Sequence, residues 1–462
     1  MKERKFHMPT AYTILFLLLI LVAAATWIIP AGSYDYVDGV PVAGTYHAVA
    51  QNPQGVGDVL KAAFSGFYDA VDVCIFILMV GGFLGVVMKT GAVDAGVSNI
   101  IRLLGGREKW LIPILMLLFG LGGTTYGMWE ETMAFYPLLI PVFLAAGYDA
   151  VVGISVILLG AGAGVIASTV NPFATGIAAG FAGVSLGEGI LLRLLEWVAF
   201  EAAAIWFVMA YAARVKRNPS KSVVGVGAGR IQVTMDQQVP FTPKRKVIMA
   251  IFTLTFLIMV YAVVPFDEMG LSLPTLGWWF PELSALFLVG GVVIGLIDRM
   301  SEEELTETYV AGCADLLGVA FIIGISRGIT VLMRDGAITD TILHWGEAAL
   351  SGAGAVSFTL LVFALYLPLT ILIPSSSGLA TLSIPIVAPL GKFAGVGGDL
   401  VVTAFQSASG LVNILTPTAA VVMGALALGH VPYDRWVKYV WKLMRFFLLR
   451  ARAFFGEGVL GG

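Results

Sequence analysis

Residues 151–172 read VVGISVILLGAGAGVIASTVNP, and residues 400–418 read LVVTAFQSASGLVNILTPT. Each stretch is an apolar run that ends in a polar break beside a proline, Pro172 or Pro417. Because proline lacks a backbone donor and clashes with the preceding turn, a helix breaks there. In a membrane, broken backbone is tolerated only where it is buried in protein or lines a cavity. The two stretches therefore predict two broken helices around an internal site.

Composition places the rest of the chain in a lipid bilayer as well. Of the 462 residues, 58% are hydrophobic and 12% are charged, whereas a soluble protein carries about 25% charged residues. So little charge cannot cover a soluble globule, and a formal net charge of -3 gives no basic surface for nucleic acid. The long apolar runs predict an all-α polytopic membrane protein, in which roughly ten elements cross the bilayer and a few re-enter it.

Lysine and arginine positions predict the orientation, since cytoplasmic loops are enriched in both. Lys2, Arg4 and Lys5 precede the first apolar run, which places the N-terminus in the cytoplasm. A signal peptide cleaved near Ala25 is the alternative, and it leaves the orientation unchanged. Residues 31–60 contain no Lys or Arg and are predicted outside, whereas the basic stretch 214–246 is predicted inside.

The two halves of the chain resemble each other. Pro172 and Pro417 are 417 − 172 = 245 residues apart, and Asp72 and Asp315, each at the start of an apolar run, are 315 − 72 = 243 apart. The first repeat starts from an outside loop and the second follows Arg299 from the inside, so the repeats are predicted to be inverted, as in secondary transporters. We divide the chain into an N-terminal membrane helix with an outer loop (1–57), repeat 1 (58–213), a cytoplasmic loop with two connecting helices (214–300), and repeat 2 with a C-terminal tail (301–462).

Polar clusters beside the breaks form the candidate site. Hydroxyls, amides and freed carbonyls are oxygen ligands suited to Na⁺, which is the coupling ion this set favours, and helix starts at the breaks suit a substrate carboxylate. The alternative is that each Ser or Thr bonds back to its own helix. We predict substrate binding by Thr124, Thr125, Glu131, Asn171, Ser375, Ser376, Ser377, Asn413 and Thr418, and ion coupling by Ser168, Thr169, Asn171, Asn413 and Thr416.

Charged residues within apolar sequence are costly in lipid and are therefore candidates for function. Glu130 and Glu131 are interpreted either as a proton carrier or partner of a cationic substrate, or as acids at a helix start near the interface. Arg327 either binds a carboxylate or pairs with an acid such as Asp315 or Glu131.

Other chemistry finds little support in the sequence. The scattered histidines suggest no metal site, and we expect no cofactor and no catalytic residue. Ser326 and Ser185 each lie in a G-x-S-x-G pattern, but a nucleophile elbow needs a strand before it and a helix after it. A membrane-embedded hydrolase using either serine, or a passive channel, remains the alternative to a transporter.

Three stretches carry a resemblance to a known family. Residues 127–137 (GMWEETMAFYP), 324–329 (GISRGI) and 335–344 (DGAITDTILH) resemble the YfcC branch of the anaerobic C4-dicarboxylate carrier family, within the ion transporter superfamily, and the likeness extends over roughly residues 8–442. The resemblance implies a transporter of C4-dicarboxylates or an exchanger of basic amino acids such as arginine and ornithine, not an enzyme.

The same resemblance implies an architecture and a mode of action. Two re-entrant hairpins, with tips at 123–125 and 375–377, and two broken helices, at 168–172 and 413–418, would form a domain that moves like an elevator against a homodimeric scaffold. One departure stands out: Arg445, Arg450 and Arg452 interrupt the apolar run of the last predicted helix, so that a final crossing is in doubt.

Overall fold

The computed structural model describes residues 11–93, 95–96, 99, 107–125, 127–185, 187–225, 240–263, 266 and 272–461. Lys2, Arg4 and Lys5, on which the predicted orientation of the first helix depends, lie outside them. The described chain is almost entirely helical. Its α-helices are α1 Ala11–Ala25, α2 Val56–Asp69, α3 Val71–Lys89, α4 Leu111–Thr125, α5 Tyr136–Ala145, α6 Ala150–Ile166, α7 Ile177–Ala182, α8 Ile190–Arg217, α9 Pro243–Val263, α10 Phe280–Asp298, α11 Glu302–Asp335, α12 Thr339–Leu350, α13 Ala355–Leu372, α14 Ser376–Phe393, α15 Gly398–Asn413, α16 Ala420–Leu428 and α17 Tyr433–Gly461.

Within the described residues, four helices are long and apolar enough to cross a membrane: α3, α10, α11 and α13. Helices α1 and α6 are apolar but shorter. All 17 residues of α6 are buried, which is expected of a helix that is apolar on every side and lies at the centre of the protein.

Short elements connect the helices at functionally important points. Glu130–Phe135 forms a 3₁₀ turn between α4 and α5, and Pro172–Gly176 forms one π turn after the first break. In the loop after α1, two two-stranded antiparallel sheets pair β1 Gly32–Ser33 with β4 His47–Ala48, and β2 Tyr36–Val37 with β3 Val40–Pro41.

The loop that carries these strands is fastened to α12 by tyrosines. Tyr34 donates from its hydroxyl to Glu347 Oε2 at 2.8 Å, and Tyr36 donates to Asp340 Oδ1 at 2.8 Å. The ring of Tyr46 stacks on His344 with the ring centres 4.0 Å apart. Burial, followed by the hydrogen bond to Glu347, raises the pKa of Tyr34, so its hydroxyl stays protonated as a donor.

The consecutive helices α2 and α3 both pack along α11, and both run antiparallel to it. Gly66 lies against Gly324 and Gly328, and Gly81 lies against Gly312, so later residues of one segment meet earlier residues of the other. A Cβ on Gly66, Gly81, Gly312 or Gly328 would overlap the facing backbone, and one on Gly324 would overlap the Phe67 ring, which explains why small residues stand at this interface.

The two broken helices cross at positions that the repeat makes equivalent. Gly410 of α15 lies against Val165 and Ile166 of α6, and 410 − 165 = 245 is the offset between the two prolines. A residue can touch its own repeat equivalent only near a two-fold axis. Together with the antiparallel packing of α11 on α2 and α3, this crossing indicates a two-fold axis between the halves, as the inverted repeat predicted from the sequence requires.

Each repeat adds a helical hairpin that packs against its broken helix. In the first repeat α4 and α5 form the hairpin and α4 packs on α6; in the second, α13 and α14 form it and α13 packs on α15. The predicted all-α fold with two hairpins and two broken helices is confirmed. The first hairpin turns later than predicted, because α4 continues through Thr124 and Thr125 before the segment that carries Glu130 and Glu131.

The last helix is not interrupted by its arginines. Tyr433–Gly461 is continuous over 29 residues, about 43 Å at 1.5 Å per residue. Its buried side presents Trp436, Val440 and Phe447, and the rings of Phe447 and Phe200 of α8 are 4.7 Å apart. Arg445 and Arg450 lie on the exposed side, where long side chains can direct their charge towards water.

Candidate functional site

A cavity of about 150 Å³ lies where the hairpins and broken helices face the α3–α10–α11 side of the protein. Its size suits a small metabolite rather than a drug-sized ligand. One wall comes from the hairpin segments and breaks, and the other from α3, α10 and α11. The lining residues are Val73, Gly127, Trp129, Glu130, Glu131, Val165, Asn171, Trp279, Phe280, Ile323, Ser326, Arg327, Pro374, Ser375, Ser376, Ser377, Gln406, Asn413, Thr418, Ala419, Ala420 and Val421.

The first hairpin turn presents two carboxyl groups to the cavity. Glu131 is buried, and its Oε2 accepts a hydrogen bond from the backbone N–H of Trp129 at 3.2 Å. Glu130 lies beside it and is half-buried. Gly127 has φ +79°, and a Cβ there would collide with Asn171, so this turn requires glycine. The acids begin the 3₁₀ turn that leads into α5, and both line the cavity.

Arg327 brings a guanidinium to the opposite wall, from the middle of α11. It attracts the Glu130 carboxylate, but within the described part of the chain it forms no ion pair at 4.0 Å or less. Asp315, the structural partner considered from the sequence, lines a different cavity beside α16 and α17. Arg327 is therefore positioned to meet a ligand rather than to close a pair with Asp315.

The second hairpin contributes the start of a helix. Ser375 precedes α14, and its hydroxyl accepts a hydrogen bond from the Gly378 N–H at 3.3 Å. Ser375, Ser376 and Ser377 all line the cavity. The first turn of a helix carries free N–H groups and a partial positive charge, so this wall suits a carboxylate.

The first break is tied to the end of α4 by threonines. Thr124 Oγ1 donates to the Ala167 carbonyl at 2.7 Å, and Thr169 Oγ1 donates to the Thr124 carbonyl at 3.0 Å. Ser168 is fully buried, and its hydroxyl has no hydrogen-bond partner among the residues that the structure describes. In the second break, the hydroxyls of Thr416 and Thr418 lie 2.8 Å apart. Coupling to Na⁺ at these oxygens stays a prediction.

The predicted site residues separate into two sets. Those that line the cavity are Glu131, Asn171, Ser375, Ser376, Ser377, Asn413 and Thr418. Those that lie behind it are Thr124, Thr125, Ser168, Thr169 and Thr416. Thr125 bonds back to the Leu121 carbonyl at 2.6 Å, as the helix-internal alternative for such hydroxyls anticipates.

Among the lining residues that sequence reasoning did not select, four are polar or aromatic. Trp129 adjoins Glu130 and Glu131, and Gln406 begins the polar stretch 406–409, so the sequence near each residue gave a signal. Trp279 and Phe280 lie at the start of α10, far from both breaks in the sequence, and only the fold brings them to the cavity.

The hydrolase alternative lacks the geometry it needs. Ser326 is within a helix, and its hydroxyl donates to the Ile323 carbonyl at 2.8 Å. Among the residues of known placement, the cavity lining contains no histidine to act as its base. Ser185 is exposed in a turn, where its N–H donates to Glu188. Across the described chain, no three His, Cys, Asp or Glu side chains form a group that could hold a metal ion.

Broken helices, paired hairpins and an enclosed charged cavity define a class, the multi-pass membrane transporters. The family model described as the C4-dicarboxylate anaerobic carrier matches residues 8–455, and the chain belongs to this family. Family membership places it among membrane transporters that carry small molecules, and not among enzymes.

Two relatives match over nearly their whole lengths. An "Uncharacterized protein" of Haemophilus influenzae is 35% identical over 97% of this chain and 96% of its own. The "Putative basic amino acid antiporter YfcC" of Escherichia coli is 31% identical over 94% of this chain and 93% of its own.

Two solved transporters show a more distant likeness. MtrF of Neisseria gonorrhoeae, from a class of antimetabolite efflux pumps, gives a TM-score of 0.45 at 18% identity, covering 97% of this chain and 94% of its own. The YdaH transporter of Alcanivorax borkumensis gives a TM-score of 0.45 at 13% identity, covering 98% of this chain and 99% of its own.

Proposed function

We propose that this protein is a secondary active transporter that exchanges basic amino acids, such as arginine and ornithine, across the bacterial inner membrane. The observation that supports this substrate class is the charge of the cavity. Two carboxyl groups, Glu130 and Glu131, face one guanidinium, Arg327, so the lining carries one net negative charge when both acids are ionised.

Charge balance favours a cationic substrate over a dicarboxylate. A basic amino acid has one net positive charge and would neutralise the lining, whereas a C4-dicarboxylate would add two negative charges to it. In an enclosed site of low dielectric, such like-charge contacts cost several kcal/mol. The printed name of the Escherichia coli relative agrees with this choice, and the printed name of the family agrees with the dicarboxylate alternative.

The positions of the charges suit the two ends of an amino acid. The α-carboxylate would lie near Arg327 and the serine-lined start of α14, where positive charge is concentrated. The cationic side chain would lie near Glu130 and Glu131, and Trp129 offers an aromatic face to it. Asn171, Asn413 and Thr418 would hydrogen-bond the remaining polar atoms.

The cavity lies between two groups of helices, and this location suits alternating access. Residues from the hairpins and breaks form one wall, and residues of α3, α10 and α11 form the other. We infer that the hairpin group slides as an elevator against a homodimeric scaffold and carries the substrate past Arg327. The driving force is exchange or an ion gradient, with the N-terminus in the cytoplasm.

Counterflow in proteoliposomes tests this function. Vesicles loaded with unlabelled L-arginine should take up external labelled arginine or ornithine, and lysine should compete. Uptake that depends on internal substrate identifies an exchanger, because a passive channel shows no counterflow. Exchange of succinate with no arginine counterflow would replace the proposed substrate class with the dicarboxylate alternative.

A further inference from the structure

A second buried acid lies outside the cavity, on α8. Glu196 is fully buried, and its Oε1 accepts a hydrogen bond from the Ser407 hydroxyl at 2.9 Å. Its other oxygen, Oε2, has no hydrogen-bond partner among the described residues. A buried carboxyl group with one oxygen unsatisfied is costly for stability, which calls for a reason.

Glu196 is one side chain away from the substrate cavity. Ser407 follows Gln406, which lines the cavity and donates from Nε2 to the Val165 carbonyl at 2.7 Å. The Ser407 hydroxyl also lies 3.1 Å from the Ile166 carbonyl at the end of α6. Glu196 therefore contacts, through Ser407, the crossing of the two broken helices, so its charge bears on the segments that carry the breaks.

The groups around Glu196 allow its carboxyl group to be either ionised or protonated. Arg193, one turn earlier on α8, attracts both Glu196 and Asp399 at the start of α15. Helices α4 and α6, which pack on α8, contain no ionisable side chain, and the basic residues of α17 up to Arg450 are exposed. The ionised Glu196 carboxylate is thus stabilised by one cation, which it shares with Asp399, and by one hydroxyl donor. Protonation of Glu196 therefore gives up few stabilising contacts.

Glu201, on the same helix, lacks a hydrogen bond to the described residues like the one that Glu196 accepts from Ser407. It is also buried, but neither carboxyl oxygen has a hydrogen-bond partner within the described chain, and its carboxyl group lies against the Gly120 backbone. No nearby cation is described for this carboxyl group, so a charge there would be costly and the neutral form is favoured. It provides a matched control for an acid that changes its protonation.

We propose that Glu196 binds the coupling proton of the transporter and exchanges it against the cationic substrate. This assignment rests on the proposed function. It places the ionised Glu196 carboxylate in the substrate-loaded state, where its charge stabilises the cation through Ser407 and Gln406. When the cavity empties, Glu196 takes a proton from water on that side of the membrane and releases it to the other side after the domain moves. One proton then crosses against one basic amino acid.

Proteoliposomes with an imposed pH gradient test this assignment. An acidic lumen should drive the wild-type protein to accumulate labelled L-arginine, and Glu196→Gln should lower that accumulation at least tenfold. Arginine–ornithine counterflow by Glu196→Gln should persist at saturating arginine but with a raised KM, because glutamine leaves the cavity wall intact and lacks the charge that stabilises the cation. Counterflow also shows that the variant is folded.

Glu201→Gln is the matched control and should keep gradient-driven accumulation. Accumulation by Glu196→Gln that equals wild type, or wild-type accumulation that ignores the pH gradient or follows the opposite one, would overturn the assignment. If the wild type carries succinate and not arginine, the proposed substrate class fails. Gradient-driven uptake of succinate then still decides whether Glu196 is the proton site.

Discussion

At the scale of single residues, Glu131 in the first hairpin turn can distinguish the two candidate substrate classes, basic amino acids and C4-dicarboxylates. Replacing Glu131 with glutamine removes a buried charge but keeps the side-chain shape and the hydrogen bond from Trp129. Losing one partner of a buried charge contact costs about 2 kcal/mol or more, which is about 30-fold in affinity. We expect kcat/KM for arginine exchange to fall at least that far in Glu131→Gln, as measured by counterflow.

The matched change on a buried acid away from the cavity is Glu201→Gln, which should leave arginine exchange near wild type. Arginine exchange that is equally strong in Glu131→Gln and wild type would show that this carboxylate does not meet the substrate. Improved succinate transport in the same variant would favour the dicarboxylate alternative, since one repelling charge has been removed.

Arg327 is the residue whose interpretation changed most between sequence and structure. The sequence allowed either a structural pair or a ligand contact, and the structure brings its guanidinium to the cavity wall. If it binds the α-carboxylate, Arg327→Gln should lower kcat/KM for arginine about tenfold or more but leave transport of agmatine, which lacks that carboxylate, nearly unchanged. Competition uptake with both labelled compounds measures the difference.

Arg327→Lys provides the conservative comparison. It keeps the charge and loses the bidentate geometry, so it should recover part of the arginine transport. Equal losses for arginine and agmatine in Arg327→Gln would point to a structural role instead.

At the scale of elements, the first hairpin is held to the broken helix by glycine packing. A Cβ on Gly164 would overlap the Gly120 carbonyl and lie 2.7 Å from the Thr124 nitrogen. Because backbone cannot yield as a flexible side chain can, Gly164→Ala should cost about 1–3 kcal/mol. We expect the Tm in detergent to fall by a few degrees. Labelling of Cys74, which is buried in the fold and becomes accessible on unfolding, measures this Tm. Gly180→Ala is the control, since a Cβ there meets nothing within 4 Å, and equal Tm values would contradict this packing.

The elements show what local sequence can and cannot predict. Prolines and polar clusters mark a broken helix by themselves, so the two breaks could be found from the sequence, together with seven residues of the breaks and hairpins that line the cavity. Thr124 and Thr169 look equally polar, but neither lines the cavity, since the Thr124 hydroxyl donates to the Ala167 carbonyl and the Thr169 hydroxyl donates to the Thr124 carbonyl. Trp279 and Glu196 reach the site or its border through long-range packing, which no local pattern encodes.

At the scale of the whole molecule, the two-fold relation between the halves makes a prediction about the membrane. Lys89 ends α3 and Arg334 lies in the last turn of α11, and they are 334 − 89 = 245 residues apart, the offset of the repeat. Both side chains are exposed, and the segments that carry them run in opposite directions. Equivalent positions in an inverted repeat must therefore lie on opposite sides of the bilayer.

Single cysteines test that relation directly. In a background with Cys74→Ala and Cys313→Ala, a membrane-impermeant maleimide added to intact cells should label Arg334→Cys and leave Lys89→Cys unlabelled until the membrane is opened. The Lys/Arg asymmetry of the loops sets this sign, with Lys89 inside. Ser220→Cys, in the basic loop, should behave like Lys89→Cys. Labelling of Lys89→Cys and Arg334→Cys from the same side would mean that the axis relating the halves runs along the membrane normal. The repeats would then be parallel, and the two hairpins could not enter the membrane from opposite faces to meet at one cavity.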